Sequence, residues 1–175
     1  MSRLENLPLN DLTEAQKKAY LGTMGDHGTK IQGPAVAWLR SPGLYEHLAA
    51  MISFMRYQSV LSPRIREFAI LIVIADWDSP FPWSKHAPMA KEAGLAADII
   101  EALRAHQQPH FSNEDEQTVY AFCAELREEH AVSHAIYQAM LDQVGEQGLV
   151  ELTTLLGLYA TVCMTSNAFE IPVAG

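Results

Sequence analysis

The twenty residues Glu67-Phe-Ala-Ile-Leu-Ile-Val-Ile-Ala-Asp-Trp-Asp-Ser-Pro-Phe-Pro-Trp-Ser-Lys-His86 decide how this chain is read. A glutamate opens a continuous apolar run, Phe68 to Ala75, a proline-rich turn follows, and a histidine sits about one turn into the next segment. The run is rich in β-branched residues and would also suit a buried strand. Two features decide for helix. Ser62-Pro63, ahead of the run, is an N-cap followed by proline at the first helical position, and no partner strand is visible elsewhere. A helix apolar on every side belongs in the centre of a core or at a subunit interface.

The same punctuation recurs outward from this stretch. Thr13-Glu-Ala-Gln16 is a capping box ahead of Lys17–Leu21, with Gly22 or Gly25 as the stop. Ser41-Pro42 launches Gly43 to about Val60, and Ser62-Pro63 launches Arg64 to about Trp77. Pro82-Trp83 opens a helix that Gly94 closes, with His86, Met89 and Ala90 on one face. Ala97 to His106 follows, then a polar loop over Gln107–Phe111, and Ser112-Asn-Glu-Asp115 caps a helix to about Glu129. Ser133 starts another that ends at Gly145, and Gly148 to Ala168 closes the pattern. The expectation is one all-α domain over residues 1–175, with seven or eight helices and no linker or repeat.

With 12 Lys and Arg against 21 Asp and Glu, the net charge of −9 and the lack of a basic cluster speak against nucleic acid or anionic membrane as partners. At 175 residues and 49% apolar content the chain can bury a substantial core, with apolar surface to spare for subunit contacts. Phe68–Ala75 is too short to span a bilayer, and the N-terminal residues lack the apolar stretch of a signal peptide, so a cytoplasmic location is expected. Cys123 and Cys163 lie inside apolar helical patterns and are expected to be reduced and buried.

Each chemical candidate has an ordinary structural explanation beside it. Glu67 alone is a carboxylate near a helix N-terminus, where the macrodipole favours it, and His86 alone is a packed or surface imidazole. Together, at the mouth of a helix pair, a partly buried carboxylate and an imidazole suit general acid/base work. Arg64 and Arg66 stand in a first turn that mildly disfavours cations; either pairs with surface carboxylates or grips a substrate carboxylate by a bidentate fork. Arg56-Tyr57 is a weaker candidate of that kind. Trp77, Phe81 and Trp83 crowd the turn as core filling or as the wall of an apolar pocket. His130 and His134 are four apart, but Ser133 between them reads as a new N-cap and no third ligand is spaced to help, so no metal site is expected. His27, His47, His106 and His110 have no partner legible in the sequence. Gly22, Gly25 and Gly28 do not make a phosphate-binding loop, since no strand precedes them.

The stretch from Arg64 to Leu95 resembles the carboxymuconolactone decarboxylases, which belong with the alkylhydroperoxidase D-like proteins. The matching residues are Arg66-Glu67, the apolar run, Trp77-Asp78, Pro80-Phe81, Trp83, His86, Ala87-Pro88, Ala90 and Ala93-Gly94-Leu95. A second match runs through Gly148-Leu-Val-Glu-Leu, Gly157-Leu-Tyr159 and Asn167-Ala-Phe-Glu-Ile-Pro172. The resemblance implies an alkylhydroperoxidase D-like helical bundle, assembly as a homotrimer or a homohexamer built from two trimers, no cofactor, and a role in aromatic compound catabolism. It puts Glu67 and His86 on the family's proton-relay positions, and Ser79 and Pro82 where the redox thiols stand. Without a thiolate nothing attacks a peroxide, and without a second thiol nothing resolves a sulfenic acid. In the decarboxylase branch the turn resembles Tyr-Glu-Trp-x-x-His; here it is Phe81-Pro82-Trp83-Ser84-Lys85-His86, with proline for the glutamate. The implied activity is a lyase acting on a small anionic lactone or oxo acid. Glu67 and His86 would be catalytic, and Arg64, Arg66, Trp77, Phe81 and Trp83 would bind substrate. The alternative is a non-catalytic ligand-binding or structural member of the same fold.

Overall fold

The computed structural model describes residues 2–5, 7–23 and 31–173. They form an all-α bundle: a 3₁₀ turn over Leu9–Asp11, then α1 (Glu14–Thr23), α2 (Ala35–Trp38), α3 (Pro42–Tyr57), α4 (Pro63–Asp76), α5 (Pro80–Glu92), α6 (Ala97–Arg104), α7 (Glu114–Glu128) and α8 (His134–Ala168). No strand occurs among the described residues. Gly25, His27 and Gly28 lie outside them.

Local chemistry accounts for most boundaries. The Thr13 box forms in both directions: Thr13 N donates to Gln16 Oε1 at 2.9 Å, and Gln16 N to Thr13 Oγ1 at 3.3 Å. Ser62 Oγ accepts from Ile65 N, and Ser133 Oγ accepts from Ile136 N. Three short stretches depart from expectation. The 3₁₀ turn and α2 carry no start signal of their own, and α5 begins at Pro80, two residues before Pro82, with Ser79 as N-cap. Around α7 the N-cap is Asn113, whose side chain makes no capping bond; the Asp115 side chain instead accepts from Glu116 N.

α8 is one long element with a bend at Gly145, where φ of 72° and ψ of 172° leave the helical region. A side chain there would be strained, so glycine sets the break between the two limbs. By length and composition α8 could cross a bilayer, with mean hydropathy 1.4 over its most apolar window; half of that window is buried inside the fold. Its buried positions Leu152, Leu155, Tyr159, Val162 and Ser166 recur at three- and four-residue spacing along one face.

α4 is the centre. Phe68, Ala69, Ile70, Leu71, Ile72 and Ile74 are all buried, and the helix packs on α5, α6, α7 and α8. All the buried apolar residues except Phe81 and Ile171 form one connected cluster. Arg64 clasps α4 to the first turn of α7 through ion pairs to Asp115 and Glu116, carboxylates that also suit a helix N-terminus. Glu151 on α8 ties down the α3–α4 loop, accepting from Ser59 Oγ at 2.6 Å, Val60 N at 2.8 Å and Gln147 Nε2 at 2.8 Å.

Candidate active site

α4 runs into the turn over Trp77–Ser79 and α5 returns alongside it, which brings Glu67 and His86 together. Glu67 is 2% exposed, and its Oε2 lies 2.7 Å from His86 Nδ1. The His86 side chain is 12% exposed. Its ring stands edge-on to Tyr159 of α8, with centroids 4.9 Å apart and planes at 89°. Nε2 of His86 makes no hydrogen bond to a described residue. A carboxylate on Nδ1 selects the tautomer with hydrogen on that nitrogen and leaves Nε2 as the atom that takes or gives a proton.

Arg66 and Tyr159 complete the surroundings. Arg66 Nε is 3.5 Å from Glu67 Oε1, close enough for charge attraction, yet the buried nitrogen has no hydrogen-bond partner among the described residues. Burial, then the Glu67 carboxylate, push the Tyr159 hydroxyl far above its ordinary value, with Arg56 and Arg66 pulling the other way. The phenol therefore stays protonated at any physiological pH. Arg56 reaches Met89 Sδ at 4.0 Å, on the helix turn that follows His86.

The other expected substrate-binding residues are dispersed. Arg64 has both terminal nitrogens engaged by Asp115 and Glu116, so it serves the α4–α7 contact. Trp77 is 37% exposed at the end of α4, and its carbonyl accepts from Asn167 Nδ2 at 2.7 Å. Phe81 is buried against Gly33, where a Cβ would collide with the ring. Trp83 lines a cleft of about 520 Å³ with Ser79, Arg104 and His106. The ring in contact with His86 is Tyr159 from α8. The signal was Tyr159 itself, a hydroxyl-bearing ring within an apolar helical face. Four clefts formed by described residues are lined by other side chains than Glu67 and His86.

Cys123 and Cys163 are free and buried. Burial pushes both thiols up to about 12. His130, with φ of 56°, ends α7, while His134 begins α8. Among the described residues no group of three or more His, Cys, Asp or Glu converges on one point. His106 has a partner that the sequence did not reveal: its Nε2 lies 2.8 Å from Asp78 Oδ1. Set against known proteins, the chain matches no family model and no curated sequence.

Proposed function

We propose that this chain is a carboxymuconolactone decarboxylase-like lyase, acting on a small anionic lactone or oxo acid through Glu67 and His86. The observation that carries the reading is the 2.7 Å contact of a buried carboxylate with Nδ1 of an imidazole whose Nε2 is uncommitted. In such a reaction the bond to the departing carboxylate breaks and CO2 leaves. Its electron pair passes into the adjacent carbonyl as an enolate, and the imidazolium Nε2–H protonates the carbon. Glu67 orients the ring and stabilises its charged form. The protonated Tyr159 hydroxyl and the Arg66 guanidinium are the groups at hand for the developing negative charge. Two thiols raised to about 12 fit a reaction other than thiol peroxidation.

Assembly as a homotrimer or a homohexamer built from two trimers belongs to the same reading. Leu44, Met51 and Val150, which are 50%, 40% and 67% exposed on α3 and α8, are apolar surface that a neighbouring copy would cover; light scattering reads this directly. A cytoplasmic home without nucleic-acid or membrane partners fits the −9 charge and the two unpaired cysteines.

One observation favours a second reading, a non-catalytic ligand-binding member of the fold: Pro82 stands where the decarboxylase pattern has a glutamate. A screen of lactones and oxo acids for CO2 release separates the two. His86→Ala and Glu67→Gln should each lower turnover by roughly 10²-fold or more, and the double variant should be little worse than either. Activity that survives both substitutions refutes the assignment of the pair. Ligand binding with no turnover on any substrate supports the second reading.

A further inference from the structure

Ser79 is 2% exposed, and its hydroxyl is buried and makes no hydrogen bond to a described residue. The cause is local. Ser79 is the N-cap of α5, and an N-cap side chain ordinarily accepts from the amide two or three positions on. The third position is Pro82, which has no N–H, and the second, Phe81, keeps its N–H but makes no capping bond to Ser79. The Cys163 thiol beside it does not meet it at hydrogen-bond geometry. A buried hydroxyl without a partner is costly, and this one belongs to a residue lining the cleft of about 520 Å³, a size that suits a small organic ligand.

The rest of the lining is graded from apolar to charged. Ile74, Ala75, Pro80, Trp83 and Val173 supply an apolar wall. At the mouth, the exposed Arg104 makes no ion pair or hydrogen bond to a described residue. The acidic residue there, Asp78, is already held by His106 at 2.8 Å, and both sit in left-handed backbone, with φ of 44° and 53°. Left-handed non-glycine residues carry local strain and persist where their surroundings hold them. Arg104 is therefore the cleft's cation without a partner among the described residues and lies near solvent, while the Ser79 hydroxyl is a neutral, buried group on its wall.

We infer that this cleft is a binding site, separate from the Glu67–His86 pair, for a small hydroxy- or oxo-carboxylic acid. The carboxylate faces Arg104 at the mouth, the apolar body lies along Trp83, Ile74 and Val173, and a hydroxyl or carbonyl at the far end meets Ser79. The site does not depend on the chemistry proposed for His86.

Isothermal titration of the intact chain with three probes tests it: 4-hydroxybenzoate, benzoate and 4-hydroxybenzyl alcohol. The wild type should bind 4-hydroxybenzoate about fivefold more tightly than benzoate, the worth of one neutral hydrogen bond, and should bind the uncharged alcohol weakest. Ser79→Ala should erase the difference between the first two probes while keeping the helical spectrum. Arg104→Gln should weaken both acids by about tenfold, since it removes a charge-assisted contact, and leave the alcohol unchanged. Three results would each overturn the inference: no saturable binding of 4-hydroxybenzoate to the wild type, acid binding indifferent to both substitutions, or binding that disappears in His86→Ala. The last would place the acid at the Glu67–His86 pair.

Discussion

Glu151 offers the sharpest test of how the fold holds its site, because it secures the loop from which α4 starts. Its carboxylate accepts three hydrogen bonds, at 2.6, 2.8 and 2.8 Å, from Ser59, Val60 and Gln147. Burial by itself would push this carboxyl up; the bonds from Ser59, Gln147 and the Val60 amide outweigh it and hold the group below its usual value. A hydrogen bond to a charged acceptor contributes about 1.5–3 kcal/mol and a neutral one about 0.5–1.5 kcal/mol. Glu151 also lines a cleft of about 710 Å³, so water screens it and the low end of each range applies. Glu151→Gln keeps the shape and loses the charge, at a cost of about 1–2 kcal/mol. Glu151→Ala leaves Ser59 and Val60 to water, at a cost of about 3 kcal/mol or, for a chain of this size, about 6–12 °C in Tm.

The pH dependence has a definite sign. The folded pKa lies below the unfolded one, so the unfolded chain takes up the proton first as pH falls. The stabilisation is fully present above the unfolded value of about 4.3 and disappears as pH falls through the folded value. Urea denaturation followed by circular dichroism from pH 7 to pH 3 should show a constant gap between wild type and Glu151→Gln down to about pH 5, then a closing one. Equal stability at pH 7, or a gap that widens in acid, would refute the reasoning.

Ile72 is 3% exposed at the centre of α4, so Ile72→Asp should cost about 4 kcal/mol or more through an unpaired buried charge; unchanged melting would contradict the placement of that helix. Arg64→Gln should destabilise by about 2 kcal/mol, since Glu116 loses its cation in a nearly enclosed position, yet leave KM for any substrate found in the screen unchanged. A KM rise without loss of stability would return Arg64 to the substrate. Cys123 and Cys163, with thiols pushed up to about 12, should resist iodoacetamide at pH 7.5 in the native protein and both react in urea; mass spectrometry that finds fast native labelling of either would show the site to be open.

Information that is local along the chain was legible before any coordinates. Ser62-Pro63, Ser133 and the Thr13 box act within one helical turn, so α1, α4 and the start of α8 followed from residue order, and so did the break at Gly145. The closeness of Glu67 and His86 was legible for the same reason, because a short turn joins the two helices that carry them. What needed the tertiary structure depends on residues far apart in sequence. Whether Arg64 holds a ligand or a neighbouring helix rests on Asp115 and Glu116, some fifty positions away. Tyr159 comes to His86 because α8 packs across α4 and α5. The turn aromatics diverge because Trp77 ends α4 while Phe81 and Trp83, two positions apart in α5, point about 200° apart, so only packing decides which side each ring takes. The orphaned hydroxyl of Ser79 joins both kinds of cause: Pro82 removes one of its two capping amides within the sequence, and the folded bundle then buries the hydroxyl without a partner among the described residues.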